Sequence, residues 1–240
     1  MPHPSDTPVP AANSFADHDI AFYLLVYQDF NRAEWCLANL RRHYPASQVI
    51  VQSDGDPDPQ YATLADADTT VQYGARLFEY AHGGQIAVRA VETLRTLSQK
   101  HVIRIDTDTE VRRRLSRLPD ADYYGSRHRL PENWIQGGCI GMSLQAVRRL
   151  HASRVFHRPD AADYRNWAGA NKHVQANIRA RAETHGLVSF DWLLAWGMSM
   201  CNIPATDVSE ICSRWQTPIP PELDCAFAHP CKHVPVLRAI

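Results

Sequence analysis

The sequence predicts an α/β fold, a single domain with a mixed, mostly parallel central sheet flanked by helices. Short apolar runs recur along the first half of the chain and are continuous rather than alternating. Such runs are typical of strands that are covered on both faces, as in a parallel sheet. A helical pattern separates the first two runs, as a right-handed crossover between parallel strands requires. Aspartate-containing segments follow two of the runs, where the open end of such a sheet would lie.

The first crossover is predicted from residues 21–48. The apolar, aromatic-rich run 21–27 is the first strand, and Asn31 can cap a helix over 31–43. Residues 48–52 form the second buried strand, and the Asp-, Gly- and Pro-rich segment 53–57 is a turn. The order strand, helix, strand begins a parallel sheet.

The next elements lead to the most polar strand end in the chain. A short strand at 70–73 precedes a loop that ends in the glycines 83–84, and residues 85–100 have the apolar spacing of a helix. The strand 102–105 stops at Asp106-Thr107-Asp108. Because ligands bind beyond the carboxyl ends of strands in open α/β sheets, this motif is a candidate site.

The second half of the chain has a different pattern. Residues 123–126 and 134–142 are predicted strands, and Ser143 caps a helix that begins at Leu144. The polar, helical stretch 158–185 is interpreted as an insertion over the site.

Composition limits the function classes. Apolar residues make up 45% and charged residues 21%, which is ordinary for a globular protein, and the formal net charge is -1. A charge near zero disfavours non-specific nucleic-acid binding. The six cysteines include no C-x-x-C pair, so reduced thiols in a cytoplasmic protein are expected.

Neither targeting nor membrane insertion is predicted. Residues 1–18 carry no basic start and no apolar stretch, so we expect a flexible tail rather than a signal peptide or anchor. The longest apolar run, 21–27, is far shorter than the roughly 20 residues that span a bilayer. We therefore expect no transmembrane segment.

Asp106 and Asp108 concentrate negative charge at the end of an apolar strand. A hard cation would relieve that charge, since Mg²⁺ and Mn²⁺ take oxygen ligands and are commonly held by one or two carboxylates plus substrate phosphates. The alternative is that both are turn residues, because aspartate is common where strands end. The residues alone leave both interpretations open.

The order of these motifs resembles that of the GT-A glycosyltransferases, in the nucleotide-diphospho-sugar transferase superfamily. The resemblance covers roughly residues 20–205 and rests on the order of the short motifs rather than on any one of them. The motifs are Ser53-Asp54-Gly55, Gly83-Gly84, the segment 102–108, Gln136-Gly137-Gly138, and Asp191 at the start of an apolar helix. The resemblance implies one domain over 19–240, with a nucleotide-binding half at about 19–115 and an acceptor-binding half at about 116–240.

The resemblance also implies a metal-dependent reaction. Asp108 would ligate Mn²⁺ or Mg²⁺ between the two phosphates of a nucleotide-sugar, while Asp106 would face the ribose or a metal-bound water. Asp54 would contact the nucleoside, although a simple turn aspartate is the alternative. Many GT-A enzymes add a downstream histidine to the metal shell, and we expect His229 rather than His233 to fill that role.

Further residues are placed around the donor. Arg76 is a candidate contact to the diphosphate, with an exposed loop arginine as the alternative. Gly137 and Gly138 would border the donor sugar and the acceptor, with a β-bulge as the alternative. Asp191 would be the base of an inverting transfer, with a helix-start aspartate as the alternative. The expected donor is a UDP-sugar, and the expected acceptor is a hydroxyl-bearing glycan, glycolipid or small molecule.

Two rival functions remain at this point. A nucleotidyltransferase that makes an activated sugar shares the α/β layout, but the glycine-rich basic loop usual after its first strand is replaced by Gln28-Asp29-Phe30-Asn31-Arg32. A non-catalytic nucleotide-sugar-binding module is the other, with a tail in which zinc binds some of Cys225, His229, Cys231 and His233.

Overall fold

The structure is a computed structural model. It describes residues 15–55, 57–77, 83–127, 134–158, 190–214 and 217–231. Most of the expected tail and nearly all of the expected insertion at 158–185 lie outside these residues. Among the helices that the structure describes, none is both long and apolar enough to cross a bilayer.

Ten strands form two sheets. In chain order they are β1 (Ile20–Val26), β2 (Gln48–Asp54), β3 (Thr69–Gly74), β4 (His101–Ile105), β5 (Glu110–Val111), β6 (Tyr123–Arg127), β7 (Ile135–Ser143), β8 (Ala205–Asp207), β9 (Ile211–Ser213) and β10 (Phe227–His229). The central sheet has the order β3-β2-β1-β4-β7-β6-β8, and β5-β10-β9 form a small second sheet. Only β7 runs antiparallel to its neighbours in the central sheet. The predicted α/β class with a mixed, mostly parallel sheet is confirmed.

Helices cover both faces of the central sheet. They are α1 (Phe30–His43), α2 (Gly83–Leu94), α3 (Leu144–Ser153) and α4 (Phe190–Met200). One apolar cluster contains α1, and the other contains α2, α3 and α4. Alternate residues of β1 enter the two clusters: Phe22 and Leu24 face α1, while Ala21 and Tyr23 face the other layer. This double coverage explains why β1 is a continuous apolar run.

Two predicted element boundaries were wrong. The first helix begins at Phe30 with Asp29 as its N-cap residue, so Asn31 is not the cap. The second helix covers Gly83–Leu94 rather than 85–100, because its last turn tightens as the Thr96 and Leu97 amides bond three residues back.

The second strand is also longer than predicted. β2 continues through Ser53 and Asp54, which pair with Tyr73 and Gly74 of β3. Asp54 is therefore a buried strand residue, and the turn begins at Gly55.

Candidate metal centre

The loop after β4 is pinned to β7 and α1. The Asp106 amide and the Thr109 hydroxyl both donate to the Gly138 carbonyl of β7, at 2.9 and 2.8 Å. The Cys36 thiol of α1 lies 3.7 Å from the carbonyls of Asp106 and Thr109. These bonds hold the two motif aspartates in a fixed turn at the carboxyl end of β4.

The small sheet brings a histidine to this turn. β10 pairs with β5 and β9, and the Cys231 amide donates to the Asp108 carbonyl at 2.8 Å. His229 Nε2 then lies 3.2 Å from Asp108 Oδ1 and 3.4 Å from Asp106 Oδ2. One atom from each of the three side chains lies within 4.8 Å of the others. We call Asp106, Asp108 and His229 the Asp–Asp–His cluster.

Ser213 fixes which imidazole nitrogen faces the aspartates. Its hydroxyl makes a short contact with the Gly137 carbonyl and lies 3.0 Å from His229 Nδ1. A carbonyl oxygen only accepts, so the single hydroxyl proton points at Gly137, and Ser213 accepts from Nδ1–H. Nε2 therefore presents either a proton or a lone pair to two carboxylates. If Nε2 carries the lone pair, a cation between Nε2 and the two carboxylates is needed to offset their repulsion.

The contact between His229 and the two aspartates shifts the pKa values of His229 and Asp108. Burial alone would lower the pKa of His229, but the hydrogen bond to Asp108 and the charges of both aspartates outweigh it, and the net pKa is raised. Burial raises the pKa of Asp108, but the His229 hydrogen bond and charge, a backbone hydrogen bond and the charge of Arg32 together lower it, and the net pKa is lowered. The Asp106 and Asp108 side chains remain 32% and 31% exposed, so a ligand can reach both carboxylates.

Gly138 leaves the space that the imidazole occupies. Its φ is +94°, and a Cβ placed there would lie 2.1 Å from His229 Nδ1. At the neighbouring Gly137, a Cβ would lie 1.7 Å from Asp191 Oδ2. The predicted close approach at these glycines is therefore made by two side chains of the chain itself. Their predicted contact to donor and acceptor stays a prediction.

A first prediction follows from Gly138. Gly138→Ala should lower the free energy of unfolding by roughly 2–5 kcal/mol, through the strained φ and the collision with the imidazole. Gly84→Ala is the matched control, because a Cβ there meets nothing within 4 Å; it should change the free energy by less than about 1 kcal/mol. Chemical denaturation measures both. Equal stability of the two variants would show that His229 does not pack on Gly138.

Arg104 connects the cluster to Asp191. It lies in β4 with its side chain 3% exposed, 2.6 Å from Asp106 Oδ1 and 3.4 Å from Asp191 Oδ1. Burial raises the pKa of Asp191; Arg104 lowers it by less, and the charge of Asp106 adds to the rise. Asp191 lies in the first turn of α4 with its side chain 18% exposed. A raised pKa makes the Asp191 carboxylate a stronger proton acceptor than an exposed carboxylate.

Asp54 and Arg76 lie together, bonded to each other. Asp54 Oδ2 accepts from Arg76 at 3.0 Å, and Oδ1 accepts from Arg89 at 2.6 Å and from the Leu77 amide at 3.0 Å. The Arg76 guanidinium also covers the Tyr27 ring, 3.1 Å from its centroid. Asp54 thus links β2 to the loop that follows β3 and to α2. Its contact to a nucleoside, and that of Arg76 to a diphosphate, stay predictions.

The cysteine-containing tail does not supply a metal cluster within the described residues. Across those ranges, the Asp–Asp–His cluster is the one group of three or more potential ligands, and it contains no cysteine. His229 points to the aspartates, and Cys225 packs against Ile219 and Ala228 instead. His233 lies outside the described residues.

Two residues at the site were not predicted from the sequence. Arg104 had a visible signal, since a charged residue inside the buried run 102–105 requires a partner. Ser213 had no such signal, because its role depends on the pairing of β9 with β10.

No protein-family model matches the chain, and no curated protein matches it.

Proposed function

We propose that the chain is a metal-dependent glycosyltransferase. It moves a sugar from a nucleoside diphosphate carrier, with a UDP-sugar favoured, to the hydroxyl group of a glycan, glycolipid or small molecule. The observation that carries the proposal is the Asp–Asp–His cluster at the carboxyl end of β4, with His229 Nε2 turned toward both carboxylates. It lies where ligands bind in open α/β sheets.

The donor set of the cluster fits Mn²⁺ or Mg²⁺. Carboxylate oxygens are the preferred ligands of both ions, and Mn²⁺ also accepts one imidazole nitrogen. Asp108 and His229 would hold the ion, and Asp106 would hold it directly or through a water. When bound, the cation neutralises the charge that develops on the departing diphosphate.

Arg104 and Ser213 position the groups that would react or bind. The Arg104 guanidinium lies between Asp106 and Asp191, so it fixes one oxygen of each carboxylate and offsets the negative charge that they share. Ser213 holds the ring of His229 by its Nδ1–H group. Such supporting hydrogen bonds set the orientation and basicity of a ligating histidine.

Asp191 would act as the general base. Its carboxylate takes the proton of the acceptor hydroxyl as that oxygen attacks the anomeric carbon, and the bond to the diphosphate breaks on the opposite face. The reaction is then a single displacement with inversion. Gly137 allows Asp191 to lie against β7, which fixes the carboxylate beside the cluster.

The proposal is tested by incubating the purified 240-residue chain with a panel of UDP- and GDP-sugars, with Mn²⁺ or with a chelator. We expect Mn²⁺-dependent binding and slow hydrolysis of at least one donor. If no donor binds or is hydrolysed, the proposal is wrong. Release of pyrophosphate from a nucleoside triphosphate and a sugar phosphate would instead identify a nucleotidyltransferase.

A second prediction concerns Ser213. Ser213→Ala should weaken Mn²⁺ binding by about 10- to 100-fold, as measured for the loss of supporting partners at other metal sites. The change removes the acceptor for Nδ1–H and frees the ring to rotate. Titration calorimetry with Mn²⁺ and UDP measures the effect, and Ser209→Ala, an exposed serine in the turn before β9, is the control. Equal affinities in the two variants would contradict the role of Ser213.

A further inference from the structure

Two cysteines share a small apolar cluster beside the strand pair that carries His229. Cys212 is the central residue of β9, and Cys225 precedes β10. Cys225 is buried in a small cluster with Ile219 and Ala228, and the half-buried Cys212 packs against that cluster. The Cys212 thiol donates to the Ser209 carbonyl at 3.6 Å, and neither thiol is part of a disulfide.

A guanidinium lies against this thiol pair. Arg112 Nη1 is 3.8 Å from the Cys225 sulfur, and the same group donates to the Pro220 and Leu223 carbonyls at 2.8 and 3.0 Å. A fixed positive charge disfavours a second cation such as zinc at these sulfurs. The same charge favours the Cys225 thiolate, the form in which this thiol can attack a mixed disulfide.

We propose that Cys212 and Cys225 are a redox modification site that forms a reversible intramolecular disulfide. The oxidant is a low-molecular-weight disulfide such as oxidised glutathione. The inference does not depend on the glycosyltransferase proposal, because it concerns only these two thiols.

The exchange has two steps. The Cys212 thiolate attacks one sulfur of the small disulfide, whose S–S bond breaks, and one small thiolate leaves with the electron pair. The Cys225 thiol gives its proton to that small thiolate and then attacks the Cys212 sulfur of the mixed disulfide. The second small thiolate leaves and takes up the proton that Cys212 released when it ionised. The protein loses two electrons and two protons, and the oxidant becomes two thiols.

The exposure of the two thiols sets this order. Cys212 is half-buried and therefore accessible to a small disulfide, whereas Cys225 is 2% exposed. Burial raises the pKa of Cys225 to about 12, the neighbouring Cys212 adds to the rise, and Arg112 opposes it. Cys225 thus reacts as the second, resolving thiol, once Cys212 holds the mixed disulfide against it.

The bond would tie together the strands that carry the candidate metal ligand. Cys212 is adjacent to Ser213 and pairs with Ala228, the residue before His229. The disulfide closes a loop over residues 212–225, whose two ends then support the His229–Ser213 contact covalently. Redox state and the rigidity of this part of the site are then coupled.

Intact mass and peptide mapping test the proposal. The 240-residue chain is incubated with oxidised glutathione, free thiols are blocked with an alkylating reagent, and the chain is cleaved after glutamate. Cleavage at Glu210 and Glu222 isolates Cys212 on the peptide 211–222 and leaves Cys225 and Cys231 on the peptide 223–240. We expect a mass loss of two hydrogen atoms and a cross-link between these peptides that reductant reverses.

Variants assign the partners. Cys212→Ser should abolish the cross-link, whereas Cys201→Ser, which removes another partly exposed thiol, and Cys231→Ser should retain it. Cys225→Ser should also abolish the cross-link. If that variant does not fold, a cross-link that persists in Cys231→Ser still identifies Cys225 as the partner of Cys212. A lasting glutathione adduct on Cys212, a link from Cys212 to Cys231, or no reaction would each overturn the proposal.

Discussion

Asp108→Asn is expected to abolish sugar transfer, with a loss of at least about 10³-fold, because removing a charged ligand takes away several kcal/mol of support for the leaving diphosphate. The variant should bind Mn²⁺ and UDP together much more weakly than the wild-type chain. It should fold normally, since the amide oxygen of the introduced asparagine can still accept from His229 and the side chain is not part of the apolar core. Donor hydrolysis and calorimetric titration with Mn²⁺ measure the two effects.

Asp120→Asn is the matched control for this change. Asp120 is exposed and lies outside the Asp–Asp–His cluster, so its neutralisation should leave metal binding and turnover unchanged. Near-normal activity of Asp108→Asn would contradict the assignment of Asp108 as a metal ligand. Loss of folding in Asp108→Asn would show a structural role instead.

Asp191→Asn is expected to separate chemistry from binding. Turnover should fall by roughly 10²- to 10⁴-fold, the range contributed by a general base, while Mn²⁺-supported donor affinity stays nearly constant. Affinity is preserved because Arg104 keeps its ion pair with Asp106, and the Asp–Asp–His cluster is untouched. Single-turnover assays with saturating donor measure the chemical step.

The alternative role of Asp191 gives a different result. If Asp191 only complements the positive end of α4, then Asp191→Asn should cost about 1 kcal/mol of stability or less and leave turnover intact. That outcome would contradict the role of Asp191 as general base, but it would not bear on metal binding by the Asp–Asp–His cluster. The same Asp120→Asn control shows whether neutralising any carboxylate slows the reaction.

The sequence was most informative where local patterns suffice. The apolar runs located the strands, and the end of the run 102–105 located Asp106 and Asp108 at the correct edge of the sheet. The choice of His229 over His233 rested on Phe227, which is fully buried in β10. Because His233 lies outside the described residues, that choice stays a prediction. Ser143 caps α3 as predicted, with its hydroxyl accepting from the Ala146 amide at 3.0 Å.

Contacts between distant residues were not predictable in this way. The pair of Asp54 with Arg89, the link from Arg104 to Asp191, and the support of His229 by Ser213 each join separate elements. Glycines 137 and 138 signalled a close approach, but the pattern does not say whether a ligand or a side chain makes it. Only the folded arrangement puts Asp191 and His229 there.

The central claim is that Asp108 and His229 hold a divalent cation. Crystals grown with UDP and Mn²⁺, with diffraction collected at the manganese absorption edge, test it directly. We expect an anomalous peak at coordination distance from an Asp108 carboxylate oxygen and His229 Nε2, with the His229 Nδ1 contact to Ser213 retained. A Mn²⁺ peak elsewhere, or none at saturating Mn²⁺ and UDP, would contradict it.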